Sequence, residues 1–136
     1  LPYSIGQRES EETLRTCHDR LGMGTLTYGI LIRGLLTGKY DTDSRFMEGD
    51  TRSRDEQFQG PLLARNLSLL KALRSACSRH GLSPVQGAIR WVLDQPFVTA
   101  AIVGAKTAAQ IEENAGAGEP LLGTGVSMAD YLRLPE

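Results

Sequence analysis

The sequence contains little of what would point to a secreted, membrane or nucleic-acid-binding protein. Its 136 residues include only two cysteines, too few for a disulfide framework. Positive charge is not in excess, since 15 Lys and Arg face 16 Asp and Glu, which argues against a dedicated nucleic-acid binder. No apolar run approaches the roughly 20 residues that a membrane helix needs. The first residues do not show the charged-then-apolar pattern of a signal peptide.

The composition that is present is typical of one soluble globular domain, with 40% hydrophobic and 23% charged residues. Cys17 and Cys77 lie on the apolar side of helical patterns, so we expect both thiols to be buried. A reducing, cytoplasmic setting is the prediction that follows. Because the chain begins at Leu1 rather than at a methionine, we also expect it to be part of a longer protein.

Apolar periodicity and capping residues predict alternating helices and strands. Helices are expected from Ser10 to Leu21, Pro61 to His80, Ser83 to about Gln95, Thr107 to about Gly116, and briefly after Ser127. Strands are expected near Thr25 to Gly29 and from Phe97 to Val103, the second one covered on both faces. This order favours a parallel sheet of the α/β class, with ligands beyond the carboxyl ends of the strands.

Two connecting segments stand out. Residues 33–40 predict a turn or one helical turn. Residues 41–60 form a long charged loop, and loops of that length are usually functional or mobile.

The turn and helix at residues 104–114 gather groups that suit an anion and a polar heterocycle. Gly104 leaves room for a ligand, Lys106 adds a positive charge, and the helix start offers free N–H groups. Three hydrogen-bonding side chains share one face of the helix, while an apolar face can pack inward. The first set is Gln110, Glu113 and Asn114, and the second is Ala108, Ile111 and Ala115.

A phosphorylated adenosine would satisfy this layout. The alternative is a plain helix start, in which Thr107 is the N-cap, Gln110 completes a capping box and Lys106 is solvated.

Five segments resemble, in order and spacing, the C-terminal part of the aldo-keto reductases, and together they cover nearly the whole chain up to about Leu122. They are YSIGQRESEE (3–12), LTYGILIRGLLTGKYD (26–41), EGDTR (48–52), SPVQGAIRWVLDQP (83–96) and IVGAKTAAQIEENAGA (102–117). The resemblance implies an α/β fold, the C-terminal portion of a (β/α)8 TIM barrel that reduces carbonyls with NADPH. The chain would supply about two strands with their helices, followed by a tail at residues 119–136.

The resemblance also implies roles in holding NADPH. Tyr28 would stack on the nicotinamide. The pyrophosphate would lie along Gly29, Ile30, Leu31, Ile32 and Arg33, near Lys39 and Arg52. Lys106 and Gln110, beside Gly104, would hold the 2′-phosphate, and Glu113 and Asn114 would hold the adenine. The sequence departs from the family at Ile30 and Val103, where proline is usual, and at Gly29, where serine is frequent.

No catalytic residue and no metal ligand is assigned. The acid catalysts of the family come from N-terminal strands that this chain does not contain. Its own histidines, His18 and His80, occupy ordinary helical positions. Its tyrosines match no catalytic position: Tyr3, Tyr28, Tyr40 and Tyr131. We therefore expect the isolated chain to be inactive.

Three functions remain open at this stage: part of an NADPH-dependent carbonyl reductase, a non-catalytic nucleotide-binding or regulatory module, and an inactive remnant. The substrate would be a small carbonyl compound if the full barrel is present. Neither nucleic acid nor membrane is an expected partner. A pair of barrel strands on its own would expose edges and an apolar face. We therefore expect self-association, or cover by the N-terminal part of the barrel.

Overall fold

A computed structural model describes residues 1–119 of the chain as an α/β fold in which four helices pack around a small parallel sheet. The helices are Glu11–Leu21 (α1), Gly60–Ser78 (α2), Pro84–Leu93 (α3) and Ala108–Gly116 (α4). The strands are Leu26–Thr27 (β1) and Ala100–Ala101 (β2), and short 3-10 helices span Leu35–Thr37, Thr51–Arg54 and Glu56–Phe58. All four helices lie close to their predicted positions. The helix predicted after Ser127 lies outside the described residues.

Helix boundaries follow from the capping residues that the sequence displays. Ser83 accepts a hydrogen bond from the N–H of Gln86, whose side chain bonds back to Ser83, a complete capping box at the start of α3. Gly22 ends α1 in the left-handed conformation, with its N–H on the carbonyls of Cys17 and His18. None of the described helices is both long enough and apolar enough to cross a membrane.

The sheet contains one more segment than was predicted. β1 and β2 pair in parallel, with Leu26 opposite Ala100 and Thr27 opposite Ala101. On the other edge of β1, Pro2 forms a parallel bridge to Tyr28, and the N–H of Tyr3 donates to the carbonyl of Tyr28 at 3.1 Å. The first residues of the chain therefore act as a short third strand.

Both strands are shorter than predicted, and the second prediction failed for a physical reason. Phe97 and Val98 belong to a turn, in which the N–H of Val98 donates to the carbonyl of Gln95 at 3.0 Å. The apolar side chain of Phe97 is buried because it packs on Tyr3, not because it lies in a strand. Nor is this segment covered on both faces, since Ile102 is 56% exposed.

One face of the sheet is open. Side chains alternate between the two faces of a strand, and those of Thr25 and Thr27 are buried. Leu26 and Tyr28 point the other way and are 58% and 51% exposed, beside the exposed Ile102. Within residues 1–119, the outer edge of β2 pairs with no other strand. An apolar face and a strand edge are thus both uncovered in the described part.

Tyr3 joins the N-terminal segment to the helices. Its ring is fully buried, 5.6 Å from that of Trp91 and 5.4 Å from that of Phe97 between centroids. Its hydroxyl donates to Glu11 at 3.0 Å, and burial raises the pKa of this hydroxyl above its ordinary value. Glu11 also pairs with Arg8 at 2.6 Å and with Arg15 at 3.2 Å. The hydrogen bond from Arg8 is the main cause that lowers the pKa of Glu11.

The two cysteines differ in burial. Cys77 is fully buried, and burial raises the pKa of its thiol, so this prediction is confirmed. Cys17 is only half-buried, because it lies at the margin of the face that α1 packs inward. Both thiols are free.

We predict that Glu11→Gln lowers the free energy of unfolding at pH 7 by about 0.5–1 kcal/mol, because it removes the charge that Arg8 and Arg15 contact. The pKa of Glu11 is lower folded than unfolded. Its contribution is therefore present above the unfolded pKa and is lost as the pH falls through the folded value. Urea unfolding at pH 7 and near pH 3 should show the difference between wild type and variant shrinking. Glu12→Gln, an exposed carboxylate in the same turn, is the control. A difference that does not change with pH would contradict this role of Glu11.

Candidate functional site

A cleft of about 760 Å³ lies beyond the carboxyl ends of the two strands. Because β1 and β2 are parallel, the turns that follow them open to the same side of the sheet. Residues 50–52 of the long loop close a third side. Eleven of the thirteen residues that were expected to hold the cofactor line this one cleft: Gly29, Ile30, Leu31, Arg33, Lys39, Arg52, Gly104, Lys106, Gln110, Glu113 and Asn114.

Tyr28 is one of the two that do not line the cleft. It lies on the open face of the sheet, and the β1–β2 register continued by one residue places it beside Ile102. Ile102 does line the cleft. An exposed ring therefore stands next to the cleft rather than within its walls.

The turn after β1 is strained. Ile32 and Arg33 have φ values of 47° and 50°, in the left-handed region that side chains with a Cβ rarely adopt. Each such residue costs of order 1–3 kcal/mol. Ile32, predicted to follow the pyrophosphate, is instead fully buried and does not line the cleft. Its side chain packs against Gly6, since a Cβ added to Gly6 would lie 2.7 Å from Ile32 Cδ1. The strained turn thus sends Ile32 into the core and Arg33 to the surface.

The start of α4 combines both interpretations of its sequence. Thr107 is the N-cap and accepts the N–H of Gln110 at 3.3 Å. Gln110 Oε1 accepts the N–H of Lys106 at 2.7 Å, one residue before a capping box would place it. In the described part of the chain, the N–H groups of Ala108 and Ala109 meet no acceptor. Capping therefore uses the oxygen of Gln110 and leaves its amide NH₂, those N–H groups and the exposed Lys106 for an anion.

α4 is attached differently from the prediction. Ala108, Ile111 and Ala115 do not pack inward: all three are exposed, Ile111 by 60%. Ile111 and Ala115 border a groove of about 390 Å³ beside the open edge of β2, and nothing in residues 1–119 covers them. The helix is held instead through its polar side, where Gln86 Nε2 donates to the carbonyl of Glu113 at 3.2 Å.

A close approach of α3 and α4 makes that contact possible. A Cβ on Gly116 would come within 2.7 Å of Gln86 Nε2. The same Gln86 side chain completes the capping box of α3, so one residue both starts α3 and fixes α4. Glu113 and Asn114 are half-buried as a result and line the cleft.

The four cationic side chains that line the cleft are of two kinds. Arg33 pairs with Asp55 at 2.9 Å and donates to Thr51 Oγ1 at 2.6 Å. Arg52 pairs with Asp50, and its guanidinium carbon lies 5.1 Å from the ring centroid of Tyr40 and 4.9 Å from that of Phe46. Lys39 and Lys106 are exposed and form no ion pair within residues 1–119.

The acidic partners in the loop are the residues that sequence reasoning missed. Asp50 and Asp55 each cap a 3-10 helix, accepting the backbone N–H of Arg52 and of Gln57. Hydrogen bonds from Arg52 lower the pKa of Asp50 to about 2, and the charge of Lys106 adds to that effect. A sequence signal for both exists, because an Asp in a loop commonly accepts the backbone N–H two residues further along the chain, as Asp50 and Asp55 do. Among residues 1–119, no group of three His, Cys, Asp or Glu side chains could hold a metal ion.

Comparison with known proteins gives a consistent result. The sequence model of the Aldo/keto reductase family matches residues 1–125. The chain is 39% identical over 112 residues to the aldo-keto reductase YhdN of Bacillus subtilis, covering 82% of the chain and 34% of that protein. It is 29% identical over 117 residues to the aldo-keto reductase yakc [NADP(+)] of Schizosaccharomyces pombe, covering 85% of the chain and 34% of the relative.

The structure of a glycerol dehydrogenase from Gluconobacter oxydans superposes with a TM-score of 0.79 at 30% identity. The match covers 96% of this chain and 40% of that one. The chain thus spans about a third of the length of the curated relatives named above.

Two glycines near the cleft should respond differently to alanine. A Cβ on Gly104 would meet nothing within 4 Å, so we expect Gly104→Ala to leave the free energy of unfolding unchanged. Gly38 has a φ of 82°, and a Cβ there would lie 1.8 Å from Arg74 Nη2. Gly38→Ala should cost at least about 1 kcal/mol. Urea unfolding of both variants tests this, and equal stabilities would contradict the close approach of Arg74 to Gly38.

Proposed function

The chain belongs to the aldo/keto reductase family and has the fold of part of its (β/α)8 barrel, and we propose that it supplies the NADPH-binding part of a carbonyl reductase. The observation that carries this proposal is the cleft, which brings together residues from both strand ends and from α4. Its volume is within the range of roughly 300–1,000 Å³ that is usual for small-molecule sites. The substrate class is a small carbonyl compound.

The start of α4 fits the 2′-phosphate and adenine of the cofactor. A phosphate needs hydrogen-bond donors and positive charge. Lys106, the amide of Gln110 and the N–H groups of Ala108 and Ala109 provide both. Glu113 and Asn114, one turn further along the same side, are the groups that would face the adenine.

Lys39 and the backbone of the turn after β1 fit the pyrophosphate. The ammonium of Lys39 lies 5.3 Å from the ring centroid of Tyr40 and close to Gly34, which belongs to this turn. Tyr28 fits the nicotinamide, because its exposed flat ring stands beside the cleft and stacking contributes about 1 kcal/mol.

When bound, NADPH would supply a hydride to a carbonyl carbon, and the residues of this chain would bind and orient it. The proton that the resulting oxyanion needs would come from the N-terminal part of the barrel. We therefore expect no turnover from the 136-residue chain alone. A non-catalytic nucleotide-binding module would bind the cofactor in the same cleft, and an inactive remnant would not bind it. A cytoplasmic location is part of the proposal and fits the free thiols of Cys17 and Cys77.

The uncovered face of the sheet indicates a protein partner. Leu26, Tyr28 and Ile102 form an exposed apolar face beside the open edge of β2. Interior positions of a barrel are filled by side chains from its other strands. We infer that the rest of the barrel covers this face and pairs with this edge.

Lys106→Ala should weaken NADPH binding by roughly tenfold to 150-fold and leave NADH binding nearly unchanged, because a charge-assisted contact to phosphate contributes about 1.5–3 kcal/mol. A fluorescence titration with each cofactor measures the two dissociation constants. Lys71→Ala, at an exposed lysine of α2, is the matched control. Equal losses for NADPH and NADH would refute the assignment of Lys106. Absence of binding by the wild type would refute the proposed function itself.

The 136-residue chain alone should self-associate at micromolar concentration, because monomers rarely leave a contiguous apolar face and a strand edge uncovered. Sedimentation velocity gives the size distribution. Ile102→Ser should shift it toward monomer, while Ile111→Ser, on α4, should shift it less. A compact monomeric wild type that unfolds cooperatively would show that the open face needs no cover.

A further inference from the structure

We propose that Arg33 is a positioning residue: it holds the loop at residues 50–58 in place as a wall of the cleft, and Lys39 and Lys106 contact the phosphates. The inference rests on the proposed function, since it assigns work among the cations of that site. It differs from the role that the family resemblance implies, in which Arg33 follows the pyrophosphate.

Within residues 1–119, the ion pair and the side-chain hydrogen bond of Arg33 are both with the loop. Its Nε lies 2.9 Å from Asp55 Oδ2, and its Nη1 donates to Thr51 Oγ1 at 2.6 Å. Thr51 begins the 3-10 helix Thr51–Arg54, and Asp55 is the N-cap of the next one, Glu56–Phe58. A planar guanidinium can bind both at once, which an ammonium cannot do in the same geometry. One side chain therefore connects the turn after β1 to two points of the loop.

The loop is fixed separately at its far side. Asn66 is fully buried and donates to the carbonyl and to Oε1 of Gln57, at 3.2 Å and 2.8 Å. Phe58 is buried and packs edge-on against Tyr40 and Phe46, at 5.6 Å and 5.2 Å between centroids. These contacts attach the loop to α2 and to the segment after Lys39. Arg33 is what attaches it to the strand-end turn, across the cleft.

The backbone at Arg33 indicates that its direction matters. A φ of 50° is costly for a residue with a Cβ, and glycine would adopt it freely. Such strain persists where the surroundings hold it, here through the buried Ile32 and the two-point contact of Arg33. An arginine that only had to reach a phosphate in the open cleft would not need this left-handed backbone conformation.

A phosphate that replaced Asp55 as the partner of Arg33 would take the cation from a carboxylate whose side chain is 19% exposed. That exchange would leave a half-buried carboxylate without its cation, next to a newly bound anion. Lys39 and Lys106 carry no such cost, since neither forms an ion pair in the described part of the chain.

Asp55→Asn separates the two roles by the sign of its effect. Asparagine keeps the oxygen that accepts the N–H of Gln57 and loses the charge that holds Arg33. If Arg33 positions the loop, the variant binds NADPH roughly two- to fivefold more weakly, the scale of one partly exposed ion pair. NADH should weaken by the same factor, because the lost contact is not to the 2′-phosphate. Glu56→Gln, an exposed carboxylate of the same short helix, should change neither affinity.

Two further variants complete the test. Thr51→Val removes the second contact of Arg33 and should weaken both cofactors as Asp55→Asn does. Arg33→Lys keeps the charge and loses the two-point geometry. It should weaken binding in the wild type and weaken it less in the Asp55→Asn background, where only the Thr51 contact is left to lose. Tighter binding by Asp55→Asn, or additive effects of Arg33→Lys and Asp55→Asn, would overturn the proposal and make Arg33 a phosphate ligand. Loss of all cofactor binding by the wild type would instead refute the proposed function.

Discussion

The rest of the described structure depends on the contacts of the buried residue Tyr3. Its backbone N–H extends the sheet at Tyr28, its ring packs between Trp91 and Phe97, and its hydroxyl binds Glu11 in α1. A two-stranded ladder of two residues each is too small to hold itself together. The segments that converge on Tyr3 therefore fix how β1 stands against α3, and thereby where the two strands end side by side. The cleft exists because those ends are held at the same level.

In the walls of the cleft, unfavourable features are offset by neighbouring contacts. The turn after β1 is strained at Ile32 and Arg33, and that strain is offset by burial of one side chain and ion pairing of the other. The long loop is rich in charge, yet its carboxylates at Asp50 and Asp55 neutralise two of the four cations at the cleft. What remains in the described part of the chain is the positive charge of Lys39 and Lys106, which form no ion pair there. That division follows from the folded loop.

Helices were predictable because their signals are local. The capping box at Ser83, the left-handed Gly22 and the apolar period of α2 all lie within the element they define. Strand lengths were not, because a ladder extends only as far as a partner does, and the apolar run from Phe97 owes its composition to Tyr3 rather than to a sheet. The same limit applies to the site. The residues at the start of α4 were predicted from local helix chemistry and the other cleft residues from the family resemblance. The contacts of Arg33 with Thr51 and Asp55, however, depend on how a loop folds back across 18 residues or more. Nothing in the local sequence determines that.

Tyr28 belongs both to the uncovered face of the sheet and to the surroundings of the cleft. Its side chain lies on the face of the sheet that Leu26 and Ile102 share, and in a closed barrel such a face is mostly filled by neighbouring side chains. A residue at the very end of the strand, however, lies at the rim, where a planar ligand can reach it. Two kinds of apolar residue therefore share this face: Leu26 in β1, which needs protein cover, and Tyr28 just after it, which stands at the rim beside the cleft. Their order along the chain places the ring beside the cleft instead of in the core, because Tyr28 directly follows β1 and Gly29 then turns the chain away.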